Sequence, residues 1–119
     1  MTKLYKLPQG IIAVTHSDAK MSLGLLDLLP GEKLAKHNRP VDEELVQIYG
    51  TSLYQLFDKD NKVFKEVELK EGEKVVIPAR QFHIHSNPYK KRSITLWKFE
   101  GDITEIIQNI RDSFEEVEN

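Results

Sequence analysis

Hydrophobic and polar residues alternate over short stretches along most of the chain, a pattern that indicates β-strands with one buried face. Turn signals such as Pro30-Gly31, Gly50 and Glu71-Gly72 separate these stretches. The predicted strands cover residues 11–15, 21–29, 44–49, 53–57, 63–69, 75–77 and 93–99. Strands recurring at intervals of about 8–12 residues favour an all-β sandwich or barrel.

The period of the pattern changes after Gly101. Apolar residues then recur at the three- and four-residue spacing of a helix, at Ile103, Ile106, Ile107, Ile110 and Phe114. An amphipathic helix is therefore predicted over about residues 102–116, with Asp102 and Glu105 resembling a capping box at its start. We expect its isoleucine stripe to pack on the outside of the barrel or to close one end. The alternative is that the stripe forms a dimer contact.

Composition narrows the classes of protein to consider. The 119 residues predict one domain over 1–119, with a barrel over about 20–100 and the helix at its end. The absence of cysteine excludes disulfides, thiolate metal sites and cysteine nucleophiles. A net charge of -2 argues against a nucleic-acid partner. There is no apolar run of about 18–20 residues and no signal-like start, so we expect no membrane partner and a cytoplasmic location.

Two groups of residues stand out by their spacing. The first group consists of Gly31, His37, Glu43 and Gly50, and the second consists of Gly72, Pro78, His83 and Asn87. All eight positions resemble, at matching spacing, the two motifs of the cupin superfamily, G(X)5HXH(X)3–4E(X)6G and G(X)5PXG(X)2H(X)3N. Two positions depart from the motifs: Arg39 replaces a histidine, and Arg80 replaces a glycine. No GxSxG, Walker or GxGxxG motif is present.

The resemblance implies a double-stranded β-helix, which is a small jelly-roll barrel, followed here by the C-terminal helix. It also implies that His37, Glu43 and His83 point into the barrel, where they could hold one divalent metal (Fe, Mn, Ni or Zn). Glu43 and His83 are then the expected catalytic residues.

Strand geometry adds further side chains to the expected site. Because residues two apart on a strand share a face, we expect the side chain of Arg39 on the same face as His37, and that of His85 on the same face as His83. By the same rule Leu45, Gln47 and Tyr49 share the face of Glu43. The candidate substrate-binding residues are Arg39, Gln47, His85 and Arg80.

Arg39 leaves the chemistry open. Its guanidinium could oppose a nearby dication, replace the metal by pairing with Glu43, or turn aside to contact an anionic substrate. One hypothesis is a metal-dependent isomerase or oxygenase that acts on a polar, anionic small molecule. The alternative is a non-enzymatic ligand-binding or regulatory protein with a degenerate metal site. By resemblance, a homodimer is expected in either case.

Overall fold

Strands account for most of the secondary structure in the computed structural model, which describes residues 2–117. In chain order the elements are β1 (Lys3–Leu7), β2 (Gly10–Ser17), β3 (Met21–Leu28), β4 (Glu43–Tyr49), β5 (Ser52–Phe57), β6 (Val63–Leu69), β7 (Lys74–Ile77), β8 (His83–Ser86), β9 (Ser93–Glu100), α1 (Thr104–Ser113) and β10 (Glu115–Glu116). The all-β prediction with a C-terminal helix is confirmed. β1 and β10 were not predicted from the sequence. β8 was not among the predicted strands either, although His83 and His85 were expected to share the face of a strand.

The strands form two antiparallel sheets. The larger sheet has the order β10-β1-β2-β3-β9-β4-β7, and the smaller one has the order β6-β5-β8. Some neighbours in the larger sheet are distant in sequence, since β9 lies between β3 and β4. This crossing of connections between two packed antiparallel sheets is the arrangement of a jelly roll.

Side chains on the inner faces of the sheets build the core. In β9 every second residue from Ser93 to Phe99 is buried, and the residues between them are only partly buried. The apolar core includes Tyr5, Leu26, Leu28, Leu45, Tyr54, Leu56, Leu69, Ile77, Trp97 and Phe99. The period-two pattern read from the sequence therefore identifies the face of β9 that is buried.

The expected orientation of Tyr49 is wrong. The pairing of β4 with β9 shifts register between Gln47 and Tyr49, so that Tyr49 lies opposite Ile94. Tyr49 is 44% exposed, whereas Gln47 is buried. A one-residue shift in pairing moves the following side chains to the other face of the sheet, and alternation alone does not reveal such a shift.

The helix α1 closes one end of the barrel. It begins at Thr104 and ends at Ser113, inside the predicted range, and its isoleucine stripe faces the core. Ile103 and Ile107 are each 2% exposed. β10 then pairs with β1, so the helix is held by main-chain hydrogen bonds at its far end as well. No helix among residues 2–117 has the length and apolar character to cross a bilayer.

Candidate metal centre

The segment that carries the first motif lies along the free edge of β8, which carries residues of the second motif. Main-chain N–H groups of this segment donate to β8 and the residue after it, from Gly31 to Asn87, from Leu34 to His85 and from His37 to His83. The last contact is reciprocal, with N···O distances of 3.0 and 2.9 Å between His37 and His83. It places the two imidazole rings 4.4 Å apart at 66°.

Both imidazoles are fixed in one tautomer by main-chain carbonyls. His37 Nδ1 lies 2.8 Å from the Ala35 oxygen, and His83 Nδ1 lies 2.9 Å from the Gln81 oxygen. A carbonyl can only accept, so Nδ1 must carry the proton in each ring. In a neutral ring Nε2 then keeps its lone pair, and a hydrogen bond from the other ring nitrogen to a carbonyl is typical of histidines that ligate metals.

Glu43 completes the group. Its side chain is buried on β4, with Oε1 3.4 Å from Nε2 of His83. That oxygen has no hydrogen-bond partner among residues 2–117. The candidate donor atoms of His37, Glu43 and His83 all lie within 4.8 Å of one another. A buried carboxylate oxygen without a partner needs a cation or a donor, so the donor set fits a divalent metal of the 2-His-1-carboxylate type.

The charge environment keeps His37 neutral. Burial, then the positive charge of Arg39, then His83, lower the pKa of His37 to about 3. Burial also lowers the pKa of Arg39, and the Glu43 carboxylate opposes this effect. A guanidinium nevertheless stays protonated at neutral pH. Among the described residues, Arg39 forms no ion pair within 4.0 Å, so a direct pairing of Arg39 with Glu43, one of the three alternatives, is not observed.

A cavity of about 50 Å³ opens beside these residues. Its polar wall consists of His37, Arg39, Glu43 and His85. The rest of the wall is apolar and comes from the larger sheet, from Leu34 in the segment before β4, and from α1 with the residue before it: Ile12, Leu26, Leu45, Trp97, Phe99, Ile103, Ile106, Ile107 and Ile110. Arg39 and His85 therefore reach the interior beside the metal donors, the arrangement that alternation along the chain predicts for them.

Gln47 does not line this cavity. It belongs to a buried polar network with Ser52, Tyr54, His85, Ser93 and Thr95. Ser52 Oγ lies 2.9 Å from Gln47 Oε1 and 3.2 Å from His85 Nε2. The amide is therefore satisfied within the protein, which argues for a supporting role of Gln47 beneath the cavity. Ser93 and Thr95 escaped the sequence reasoning, although polar residues at inward positions of β9 were a usable signal.

Burial has the same effect on His85 as on His37. It lowers the pKa of His85 to about 3, and the nearby imidazoles of His83 and His37 add to the shift. Burial also raises the pKa of Tyr54, whose hydroxyl lies 3.2 Å from His85 Nε2. At neutral pH the network beneath the cavity is therefore uncharged.

Arg80 lies outside the cavity. It is exposed in the loop before β8, where its N–H donates to the Arg39 oxygen at 2.7 Å. Its φ of 66° is in the left-handed region that glycine adopts without strain. The motif's glycine is thus replaced, but its backbone conformation is kept. Asn87 follows β8, and its buried amide donates to the Leu28 and Lys91 oxygens, which fixes the loop between β8 and β9.

Comparison with known proteins shows that this chain is similar in fold to several solved structures. No protein-family model and no curated protein matches the chain. Among solved structures, a cupin superfamily protein from Desulfitobacterium hafniense is 16% identical, with a TM-score of 0.64 over 75% of this chain and 74% of that one. Oxalate decarboxylase from Bacillus subtilis, which has Mn(II) centres, is 18% identical, with a TM-score of 0.72 over 82% of this chain. The match covers only 27% of the decarboxylase.

A third neighbour has a length closer to that of this chain. A protein of unknown function from Streptococcus pyogenes is 15% identical, with a TM-score of 0.63 over 74% of this chain and 70% of that one. At these identities the comparisons establish the architecture, and the chemistry has to be argued from the site.

The neutral histidines predict a pH-dependent stability for the metal-free protein. In the unfolded chain His37 and His85 become protonated below their ordinary pKa of about 6.5. In the folded protein the pKa of each is about 3, so both stay neutral until the pH is much lower. Stability is therefore fully present above about pH 6.5 and falls with pH below it, by about 1 kcal/mol per pH unit for each histidine. Urea unfolding at several pH values between about 7 and 4.5 measures this slope.

The variant His85→Gln should show a slope that is shallower by about 1 kcal/mol per pH unit. His16→Gln is the matched control, because the His16 imidazole is exposed on the surface. An unchanged slope in His85→Gln would mean that the folded protein does not hold His85 neutral.

Proposed function

Because the chain has the cupin fold, we propose that it binds one divalent transition metal (Fe, Mn, Ni or Zn) through His37, Glu43 and His83. The observation that carries the proposal is the unpartnered, buried Oε1 of Glu43, only 3.4 Å from the free Nε2 of His83. This buried carboxylate oxygen accepts no hydrogen bond, and the Nδ1–H groups of the two neighbouring imidazoles donate to main-chain carbonyls instead. A bound cation would compensate for the missing hydrogen bond.

We further propose that the cavity holds a small anionic molecule beside this metal. Arg39 supports this proposal, since its charge lies at the cavity wall without a carboxylate within 4.0 Å among residues 2–117. A partly buried cation that forms no close ion pair favours an anionic ligand, and the fork of a guanidinium suits a carboxylate.

The reaction we favour is metal-dependent isomerisation or oxygenation. When bound, the metal would supply Lewis-acid or O₂-binding chemistry. Arg39 would hold the anionic group, and Glu43 would move a proton over a short distance in isomerisation. The apolar wall and α1 would keep bulk water away from the reacting atoms.

A non-enzymatic binding protein is the second candidate. It is favoured by Arg39 itself, because this cation replaces a metal-binding histidine of the motif and lowers the pKa of His37 through its charge. In this case Arg39 would grip the anion directly, and no metal would be needed.

We also propose a homodimer, formed through the outer face of the larger sheet. One apolar row crosses five adjacent strands in register, from Leu4 through Ala13, Leu25 and Leu96 to Val46. Ile48 and Val76 on the same face are 51% and 46% exposed. Apolar patches of this kind mark interaction surfaces, and a two-fold contact can pair such a row with itself.

Metal titration separates the first two candidates. Apo protein with one of Mn(II), Fe(II), Ni(II) or Zn(II) should bind one ion per chain, measured by elemental analysis after desalting. A free metal concentration about 100 times Kd stabilises the fold by about 2.7 kcal/mol, which corresponds to a rise in Tm of roughly 10 °C. Glu43→Gln should abolish the rise. Glu44→Gln, the next residue on the opposite face of β4, is the matched control.

If none of the four ions binds or raises Tm, the metal-dependent reading is wrong and the non-enzymatic one is favoured.

Substitutions of Arg39 test its effect on metal affinity. Arg39→His removes a cation and adds a donor, so it should tighten metal binding at least about tenfold. Arg39→Gln removes the cation without adding a donor, so it should give a smaller gain and separate the two effects. If neither variant binds the metal more tightly, the guanidinium does not oppose the metal donors.

The dimer is tested by sedimentation equilibrium over a range of concentrations. The wild-type protein should sediment at twice the chain mass, and Leu25→Glu should sediment as a monomer, because a buried unpaired carboxylate breaks an apolar contact. Phe64→Glu is the control, since Phe64 is 56% exposed on the smaller sheet. A monomeric wild type, or a monomer produced by Phe64→Glu alone, contradicts this interface.

A further inference from the structure

A second buried polar atom, apart from the metal donors, belongs to a residue that lines the cavity. Among the described residues, two buried side-chain atoms lack a hydrogen-bond partner: Oε1 of Glu43 and Nε1 of Trp97. Both residues line the same cavity, and Trp97 is only 4% exposed. An indole N–H can only donate, so Trp97 keeps a buried hydrogen-bond donor that no described protein atom uses.

The position of Trp97 suits contact with a ligand that also lies near Glu43. Trp97 pairs with Leu45, which is two residues from Glu43 on β4. Residues on such a diagonal of neighbouring antiparallel strands have backbones about 7–8 Å apart. The indole is fixed in place because it packs on Gly24, where even a Cβ would come within 2.5 Å of the ring.

The remainder of the wall selects against polar molecules. Ile103, Ile106, Ile107 and Ile110 cover one side of the cavity, and Phe99 and Leu45 lie on another. A hydroxyl facing these side chains would lose its hydrogen bonds to water and gain none, whereas a methyl group would be removed from water. The apolar wall therefore favours a hydrocarbon group over a sugar-like one.

We propose that the ligand is a short carboxylate with a hydrocarbon body. Its oxygen atoms use the Arg39 guanidinium and the Trp97 Nε1–H, and its alkyl end packs against the isoleucines of α1. The free volume of about 50 Å³ restricts the ligand to a small molecule. This inference rests on the proposed anion-binding role of Arg39 and specifies the rest of the molecule. It makes Trp97 and Ile110 determinants of specificity.

Isothermal titration with two matched probes tests the proposal. Isovalerate and glycerate each carry one carboxylate and have the same number of non-hydrogen atoms, but only glycerate carries hydroxyl groups. We expect the purified wild-type protein to bind isovalerate at least about tenfold more tightly than glycerate. Trp97→Phe, which removes the donor and keeps an aromatic ring, should weaken isovalerate binding by about tenfold.

A pair of isoleucine variants tests the role of α1. Ile110→Thr places a hydroxyl in the wall, so it should weaken isovalerate binding and reduce the preference over glycerate. Ile94→Thr is the matched control, because Ile94 is also partly buried but lies on the outer face of β9. It should leave both affinities unchanged. Thermal unfolding of each variant confirms that it is folded at the titration temperature.

The outcomes distinguish this inference from the proposed function. If both probes bind with equal affinity, or glycerate binds more tightly, the hydrocarbon preference is wrong and anion binding stands. If isovalerate is preferred but Ile110→Thr leaves that preference intact, the assignment to α1 is wrong. If neither probe binds, the proposed anion site fails, and the inference fails with it.

Discussion

Main-chain pairing between the segment at 31–37 and β8 is the interaction on which the site depends. β8 is the edge of the smaller sheet, and without this segment its second edge would carry unpaired N–H and C=O groups. The pairing joins the two motifs, which are distant in sequence, and sets His37 against His83. The third donor, Glu43, comes from the other sheet, so the candidate metal centre also spans the two sheets of the barrel.

Burial then decides the chemistry of these groups. It keeps His37 and His85 uncharged, which is the state needed by a metal ligand and by a network of neutral hydrogen bonds. Arg39 is the exception, since it remains a cation at the edge of the same cavity. Its charge disfavours a metal and favours an anion, so an anion that neutralises Arg39 would also strengthen metal binding. By linkage, the metal would strengthen anion binding to the same degree.

Particular residues show where local reasoning was sufficient and where it was not. The strands of the barrel and the helix follow from alternation and from the isoleucine spacing, because these patterns are set by neighbours in the chain. β1 was missed because it is short and its pairing partners lie elsewhere. Tyr49 was misplaced because a register shift between β4 and β9 is a property of the pair. Gln47 faces inward as expected, but its partners come from β5 and β9.

The sequence by itself determined the all-β architecture, the terminal helix and the residues that could serve as metal donors. Periodicity and motif spacing are local properties, so both can be read from the sequence without knowing which strands become neighbours. Only the tertiary structure decided that, among residues 2–117, Oε1 of Glu43 and Nε1 of Trp97 lack hydrogen-bond partners and Arg39 forms no ion pair within 4.0 Å. It also decided that isoleucines of α1 line the cavity. These facts depend on which distant strands become neighbours, because a polar group is satisfied or left unpaired by whatever packs against it.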